Sequence, residues 1–205
     1  VHPLQDRRDL QKAPIDPFFE QLKPFIAPTK NDLKLFTKMN SPQAKAYSWL
    51  KADKLANGSQ RTLAMDVERY ALAVFYFAGG KPASEYFIFL TSDSVCTWDS
   101  VTCSTDGTTV IEFGGIGVNN VVPQPILPWE MALLSNLEYV DFEDQGWYGT
   151  IPLKFAQLTK LTHLNLGINF LKGKIPAALG TMTQLTFLGL DDNLLTGAIP
   201  ATLGS

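Results

Sequence analysis

Cys96 and Cys103, in the stretch VCTWDSVTC, are the only cysteines of this chain, and His2 and His163 its only histidines. Thiolate and imidazole are common zinc ligands, but a zinc centre takes about four of them held together. The only histidines that could complete such a set are His2 and His163, so no metal and no cofactor is expected. The cysteine pair is then either two free thiols or a cross-link. General acid and base catalysis needs paired groups with tuned pKa values, and no such motif appears. The sequence holds no G-x-S-x-G, no P-loop, no dinucleotide fingerprint and no H-E-x-x-H. GGIGVNN is glycine-rich but lacks the Lys-Ser or Lys-Thr ending of a phosphate loop. The chain is not expected to be an enzyme.

A second set of residues could do recognition. Aromatic, acidic and amide side chains return at a spacing of 24. Tyr139, His163 and Phe187 form one column, and Asp141, Asn165 and Gly189 the next. Glu143, Gly167 and Asp191 follow, then Asp144, Ile168 and Asp192. Their positions are set by a longer self-similarity: LTHLNLGINFLKGKIPAALG at 161–180 reads almost as LTFLGLDDNLLTGAIPATLG at 185–204. One step earlier, Leu137, Val140, Phe142, Trp147, Gly149 and Ile151-Pro152 occupy the same columns. The polar column fails there once, with Gln145 in place of Asn169 and Asn193.

Each unit reads L-x-x-L-x-L-x-x-N-x-L-x-G-x-I-P. Apolar residues two apart point to one face of a short strand, and the residues between them face water. The Asn amide can both donate to and accept from the backbone where the chain turns inward. Gly permits close approach or unusual angles, and Pro stops a helix. One such coil cannot bury its own apolar face, whereas a stack of coils can, so the period predicts a repeat solenoid with a parallel ladder along one side.

These units resemble the plant-type leucine-rich repeat, over about 104–205 and most strongly over 137–204. The resemblance implies an α/β repeat solenoid, a right-handed coil of about four turns with the parallel β ladder on its concave side. The first strand falls at 110–113 or at 113–118. Cys96, Trp98, Val101 and Cys103 match the C-x-W-x-x-V-x-C of the N-terminal cap of such ectodomains, which implies a disulfide between Cys96 and Cys103 and hence an oxidising compartment. Trp98 and Val101 would cover the apolar end of the first coil. The sequon Asn57-Gly58-Ser59 points the same way, as a glycosylation site or, more plainly, a turn.

Residues 1–95 do not repeat. Ser41 and Pro42 open a helix as N-cap and first residue. A second helix carries Leu63, Val67, Tyr70, Ala71 and Val74 at helical spacing and stops at Gly79-Gly80. Residues 41–103 are read as a helical and disulfide-bearing cap, and they are similar to repeat proteins of diatoms and related algae. Residues 1–40 form an arm. Its Phe18, Phe19, Leu22, Phe25 and Ile26 either pack on the cap or dock into a partner.

Charge divides unevenly. Residues 1–103 carry 13 basic and 11 acidic side chains, and 104–205 carry 4 and 9, which together give the net −3. An acidic repeat region repels phosphate backbones, which excludes nucleic acid as a partner. With 45% hydrophobic residues and a mean hydropathy of +0.01, the chain can build a core, and YALAVFYFAGG is too short to span a bilayer. The leading expectation is a recognition module of a secreted or cell-surface protein. Its concave-face ligand set is Tyr139, Asp141, Glu143, Asp144, His163, Asn165, Phe187, Asp191 and Asp192, and its partner a protein, a peptide or a cell-wall glycan. Two others are kept: a subunit of a larger assembly docked through the arm, with an organelle lumen as the alternative location, and an inhibitor of a secreted hydrolase. IPATLGS stops where a further coil would start, so the sequence is expected to be a piece of a longer protein, and membrane attachment would come only through segments not seen here.

Overall fold

The computed structural model describes residues 16–57, 61–79, 89–115 and 124–204. Four helices come first. α1 (Pro17–Ile26) starts on Asp16, whose carboxylate accepts from the Phe18 amide at 3.1 Å, with Pro17 at the first helical position. α2 (Lys30–Phe36) starts on a reciprocal pair in which Thr29 and Asp32 each bond the other's backbone N–H, satisfying two of the donors a helix start leaves open. α3 (Pro42–Asn57) has Ser41 accepting from the Ala44 amide, as its sequence predicts. α4 (Leu63–Gly79) is preceded by Thr62, which accepts from Met65.

α4 is buried on every side from Asp66 to Phe75. One flank packs with Leu22, Ile26, Ala46 and Leu50. The opposite flank delivers Phe75 into the repeats, where its ring lies 4.7–4.8 Å from those of Phe113, Phe142 and Trp147. The helix was expected to present a stripe starting at Leu63, but Leu63 is exposed. A helix packed on both flanks has no single apolar stripe, so helical spacing understates its buried surface.

The strands follow. β1 (Val101–Cys103) pairs antiparallel with β2 (Val110–Gly114), so the first repeat strand takes the earlier of the two expected places. β2, β3 (Tyr139–Asp141), β5 (His163–Asn165) and β7 (Phe187–Gly189) then run parallel in that order. β4 (Tyr148–Gly149), β6 (Phe170–Gly173) and β8 (Leu194–Leu195) form a second parallel ladder. Short 3-10 turns at Trp129–Leu133, Leu153–Gln157, Ala177–Thr181 and Ala201–Gly204 close the units. The result is an α/β repeat fold.

The asparagine column performs the task its chemistry suits. Asn169 Nδ2 donates to the Phe142, Leu166 and Gly167 carbonyls at 2.8–3.0 Å, and its Oδ1 accepts from the Trp147 amide at 2.9 Å. Asn193 repeats this one unit on, reaching back to the Leu166 carbonyl and accepting from Leu171. Each amide thereby ties its unit to the one before. Gln145, one methylene longer, lies over Gly115 instead, where any Cβ would meet its carboxamide at 2.3 Å.

Cys96 and Cys103 are joined as a disulfide. Trp98 is buried beside it, packed on Trp49 and Phe89. A loop with a sequence separation of 7 should contribute about 2–3 kcal/mol in the chain-entropy description. Reduction with a thiol is therefore expected to lower the unfolding temperature by roughly 4–12 °C at this chain length. A scan with and without reductant checks this, and an unchanged transition contradicts it.

The arm is used inside the molecule. Leu22 and Ile26 are fully buried, and Phe19 packs edge-on against Phe36 and Tyr47. Phe18 lies against Tyr47. Only Phe25 of the five points outward, at 44% exposure. Of the two readings left open for these residues, packing on the cap fits Leu22 and Ile26, buried beside α3 and α4, and Phe18 and Phe19, which are half-buried. The sequon falls largely outside the described residues, since 58–59 and the Asn57 side chain are not among them, and Gly80 of the expected helix stop is not either.

Candidate binding surface

Strand alternation puts Val140 and Leu164 into the core and Tyr139, His163 and Phe187 on the solvent face of the main sheet. The ladder pairs Tyr139 with His163 and His163 with Phe187, so the three rings sit directly one above another. Their centroids are 4.2 Å apart at both steps, tilted by only 12° and 4°. Each inner ring face is covered by the next ring, while Tyr139 and Phe187 at the two ends stay 38% and 45% exposed. Glu112 heads the column beside Tyr139. Partial burial and the carboxylates of Asp141 and Glu112 push the Tyr139 hydroxyl above its ordinary pKa, so it is held as a donor.

The other predicted residues divide. Asp141 accepts from the Glu143 amide at 3.0 Å. Asn165 was expected to face a ligand, yet it is buried. Its Nδ2 donates to Glu143 Oε2 at 2.8 Å and its Oδ1 accepts from the Gly167 amide. The cause is Gly189 next in the column: with no side chain there, the Asn165 carboxamide fills the space, and a Cβ on Gly189 would meet Asn165 Oδ1 at 2.3 Å. Asp144, Asp191 and Asp192 are exposed, at the turn where the strand ends.

That turn has an unusual backbone. Asp144, Ile168 and Asp192 occupy the same repeat position, and all three have φ near +50°. Asp tolerates this left-handed region, whereas a β-branched side chain there costs about 1–2 kcal/mol. Ile168 is nonetheless 41% exposed.

The second ladder lies outside the expected ligand set. Phe170, Leu194 and Ile126 are exposed there, and Tyr148 stacks on Phe170 at 4.7 Å. A signal for this was present in NFLKG and NLLTG. Each carries two adjacent apolar residues where alternation lets only one turn inward. Two cavities, of about 220 and 610 Å³, lie beside α4 and away from the sheet face.

No family model matches the chain, and no curated protein does either. Among solved structures it is similar to the leucine-rich-repeat ectodomain of the Arabidopsis thaliana receptor kinase GASSHO1/SCHENGEN3, solved with CASPARIAN STRIP INTEGRITY FACTOR 2. Identity is 24%, covering 78% of this chain and 16% of that one, with a TM-score of 0.50. A plant ice-binding protein is 30% identical, over 71% of this chain and 53% of that one, at a TM-score of 0.49. The PEPR1–AtPEP1 structure is 24% identical, over 78% and 19%, at 0.48. The first of these likenesses shows the fold, which is of the plant leucine-rich-repeat type. The chain spans about half the length of the ice-binding protein and less than a fifth of each of the other two.

Proposed function

We propose that the chain is a non-catalytic protein- or peptide-recognition module of a secreted or cell-surface leucine-rich-repeat protein. In this reading 104–205 is a right-handed solenoid, 41–103 its helical and disulfide cap, and 1–40 an arm whose described residues pack on that cap. The ligand lies on the concave face. One observation carries the reading: three rings stacked across three coils, partly exposed and bordered by Asp141, Glu143 and Asp191. A rigid aromatic ridge presents a large contact area at little entropic cost. The disulfide supports an oxidising compartment.

The stacking also chooses among ligands. Sugars pack on ring faces, and here the inner faces are taken by neighbouring rings. Ring edges, a tyrosine hydroxyl and carboxylates suit a peptide with basic and carbonyl groups, so a protein or peptide is favoured over a cell-wall glycan. The GASSHO1/SCHENGEN3 ectodomain, of the same fold, was itself solved with a partner.

The test is selection of short random peptides by phage display on the purified chain, followed by affinity measurement. Replacing the ridge together, as Tyr139→Ser, His163→Ser and Phe187→Ser, is expected to weaken the selected peptides by ~10-fold or more, about 1.4 kcal/mol. Unchanged affinity sinks the concave-face reading.

A further inference from the structure

The coil after His163 carries exposed apolar side chains that do not belong to the ring column. Ile168 and Phe170 follow it, at 41% and 46% exposure. Phe170 stacks on Tyr148, Tyr148 bridges to Ile126, and Leu194 stands on the next strand. Ile126 and Leu194 are 64% and 59% exposed. Ile126, Tyr148 and Phe170 follow one another across the second ladder, Leu194 sits beside Lys172 at its end, and Ile168 lies at the turn between this ladder and the strand that carries His163. A run of apolar surface of this kind marks an interaction site.

Its border is acidic on the turn side. Asp144 and Asp192 hold the position of Ile168 in the coils before and after. The turns are bonded to one another, the Asp144 amide to the Gly167 carbonyl at 3.1 Å and the Ile168 amide to the Asp191 carbonyl at 3.0 Å. An apolar side chain thus stands between two exposed carboxylates, with Glu143 and Asp191 alongside. Lys172, the cation of β6, comes beyond Phe170. The exposed side chain at the turn is also one that the local backbone disfavours, where the coils on either side carry the better-suited Asp.

We infer that the Ile168 turn, together with Phe170 and Tyr148, anchors an extended segment of a partner protein in which an apolar side chain is flanked by Lys or Arg. The apolar contact supplies affinity, and the carboxylates select the flanking charge and speed encounter. This rests on the recognition reading above and moves its centre from the ring column to the turn.

The peptides selected by display on the wild-type chain decide the matter when sequenced, synthesised and measured against wild type, Ile168→Asn and the triple ring variant. The expected result is an apolar residue between basic ones, an affinity for Ile168→Asn lower by ~10-fold or more, and binding that weakens with added salt. Asn adopts the left-handed region readily, so Ile168→Asn should unfold at the same temperature as wild type or roughly 2–4 °C higher. A loss of binding then cannot come from misfolding. Selected peptides without basic residues, or equal affinity for Ile168→Asn, overturn the inference. Loss in the ring variant alone leaves the concave reading standing and removes this one, and loss in Ile168→Asn alone does the reverse. A selection that yields no binding peptide overturns both.

Discussion

Replacing Arg69 with alanine is expected to cost about 3–5 kcal/mol and to lower the unfolding temperature by on the order of 10 °C. Arg69 lies in the buried stretch of α4 and is itself 2% exposed. Its guanidinium donates to the Asp93 and Thr91 carbonyls at 2.6 Å each and pairs with Asp53 at 3.0 Å. It also sits over the rings of Trp49 and Trp98, 5.2 and 5.0 Å from their centroids. Burial pulls its pKa down while Asp53 pushes it back up, and an arginine stays protonated in proteins. Truncation leaves two buried carbonyls without donors, removes the filling between two indoles, and leaves Asp53 to Arg61, 2.9 Å away. Arg69→Met separates the causes: it restores volume without the donors, so it should recover only part of the loss. Equilibrium denaturation of the three proteins measures this. A fall below about 1 kcal/mol for Arg69→Ala would show that the cap does not depend on this group.

Why Arg69 escaped the sequence is instructive. In ERYALAVFYF it reads as the polar edge of an amphipathic helix. Only the packing of α3, the disulfide loop and α4 around one point makes it an interior cation, and that meeting is of residues far apart in the chain. The repeats were legible for the opposite reason. Their contacts join equivalent positions one unit apart, so the period of the sequence is also the geometry of the fold. The same logic placed Tyr139, His163 and Phe187 in one column. It could not show that they stack face to face, nor that Asn165 would turn inward over Gly189, because these depend on what each neighbour lacks. Ile168 was visible in its column, but its strain was not, since φ is a property of the turn and not of the residue type. The arm stayed undecided between packing and docking because a cluster of Phe, Leu and Ile serves either, and only the facing surface of α3 and α4 settles it.

Glu130→Gln is expected to stabilise the protein above neutral pH by about 3 kcal/mol and to change little near pH 4. Glu130 is fully buried. Its Oε1 accepts from Gln43 Nε2 at 2.9 Å, and its Oε2 has no hydrogen-bond partner. The other groups around it are the buried Tyr70 hydroxyl on α4, Asp32 on α2, and Lys154, whose Nζ lies 3.0 Å over the Trp129 ring and 4.0 Å from Asp32. Burial is the main cause that pushes the Glu130 carboxyl from its ordinary 4.5 up to about 7, against the opposing pull of Gln43 and Lys154. A carboxyl whose value is raised on folding favours the folded state while it is protonated. That contribution is whole below about 4.5 and is lost as pH rises through about 7. At 1.36 kcal/mol per unit the full loss is about 3 kcal/mol, or roughly 6–12 °C in unfolding temperature. Glutamine keeps an acceptor for Gln43 and cannot ionise, so the difference between variant and wild type should grow from near zero at pH 4 to its maximum at pH 8. Glu68, held at about 7 chiefly by its own burial, stays in the variant and leaves a residual slope there. Unfolding temperatures of both proteins across this range give the difference curve. A flat one would mean that water or a shifted Lys154 reaches the buried carboxylate, and the contact between α2, α3 and the first repeat would then be looser than the packing around Glu130 requires.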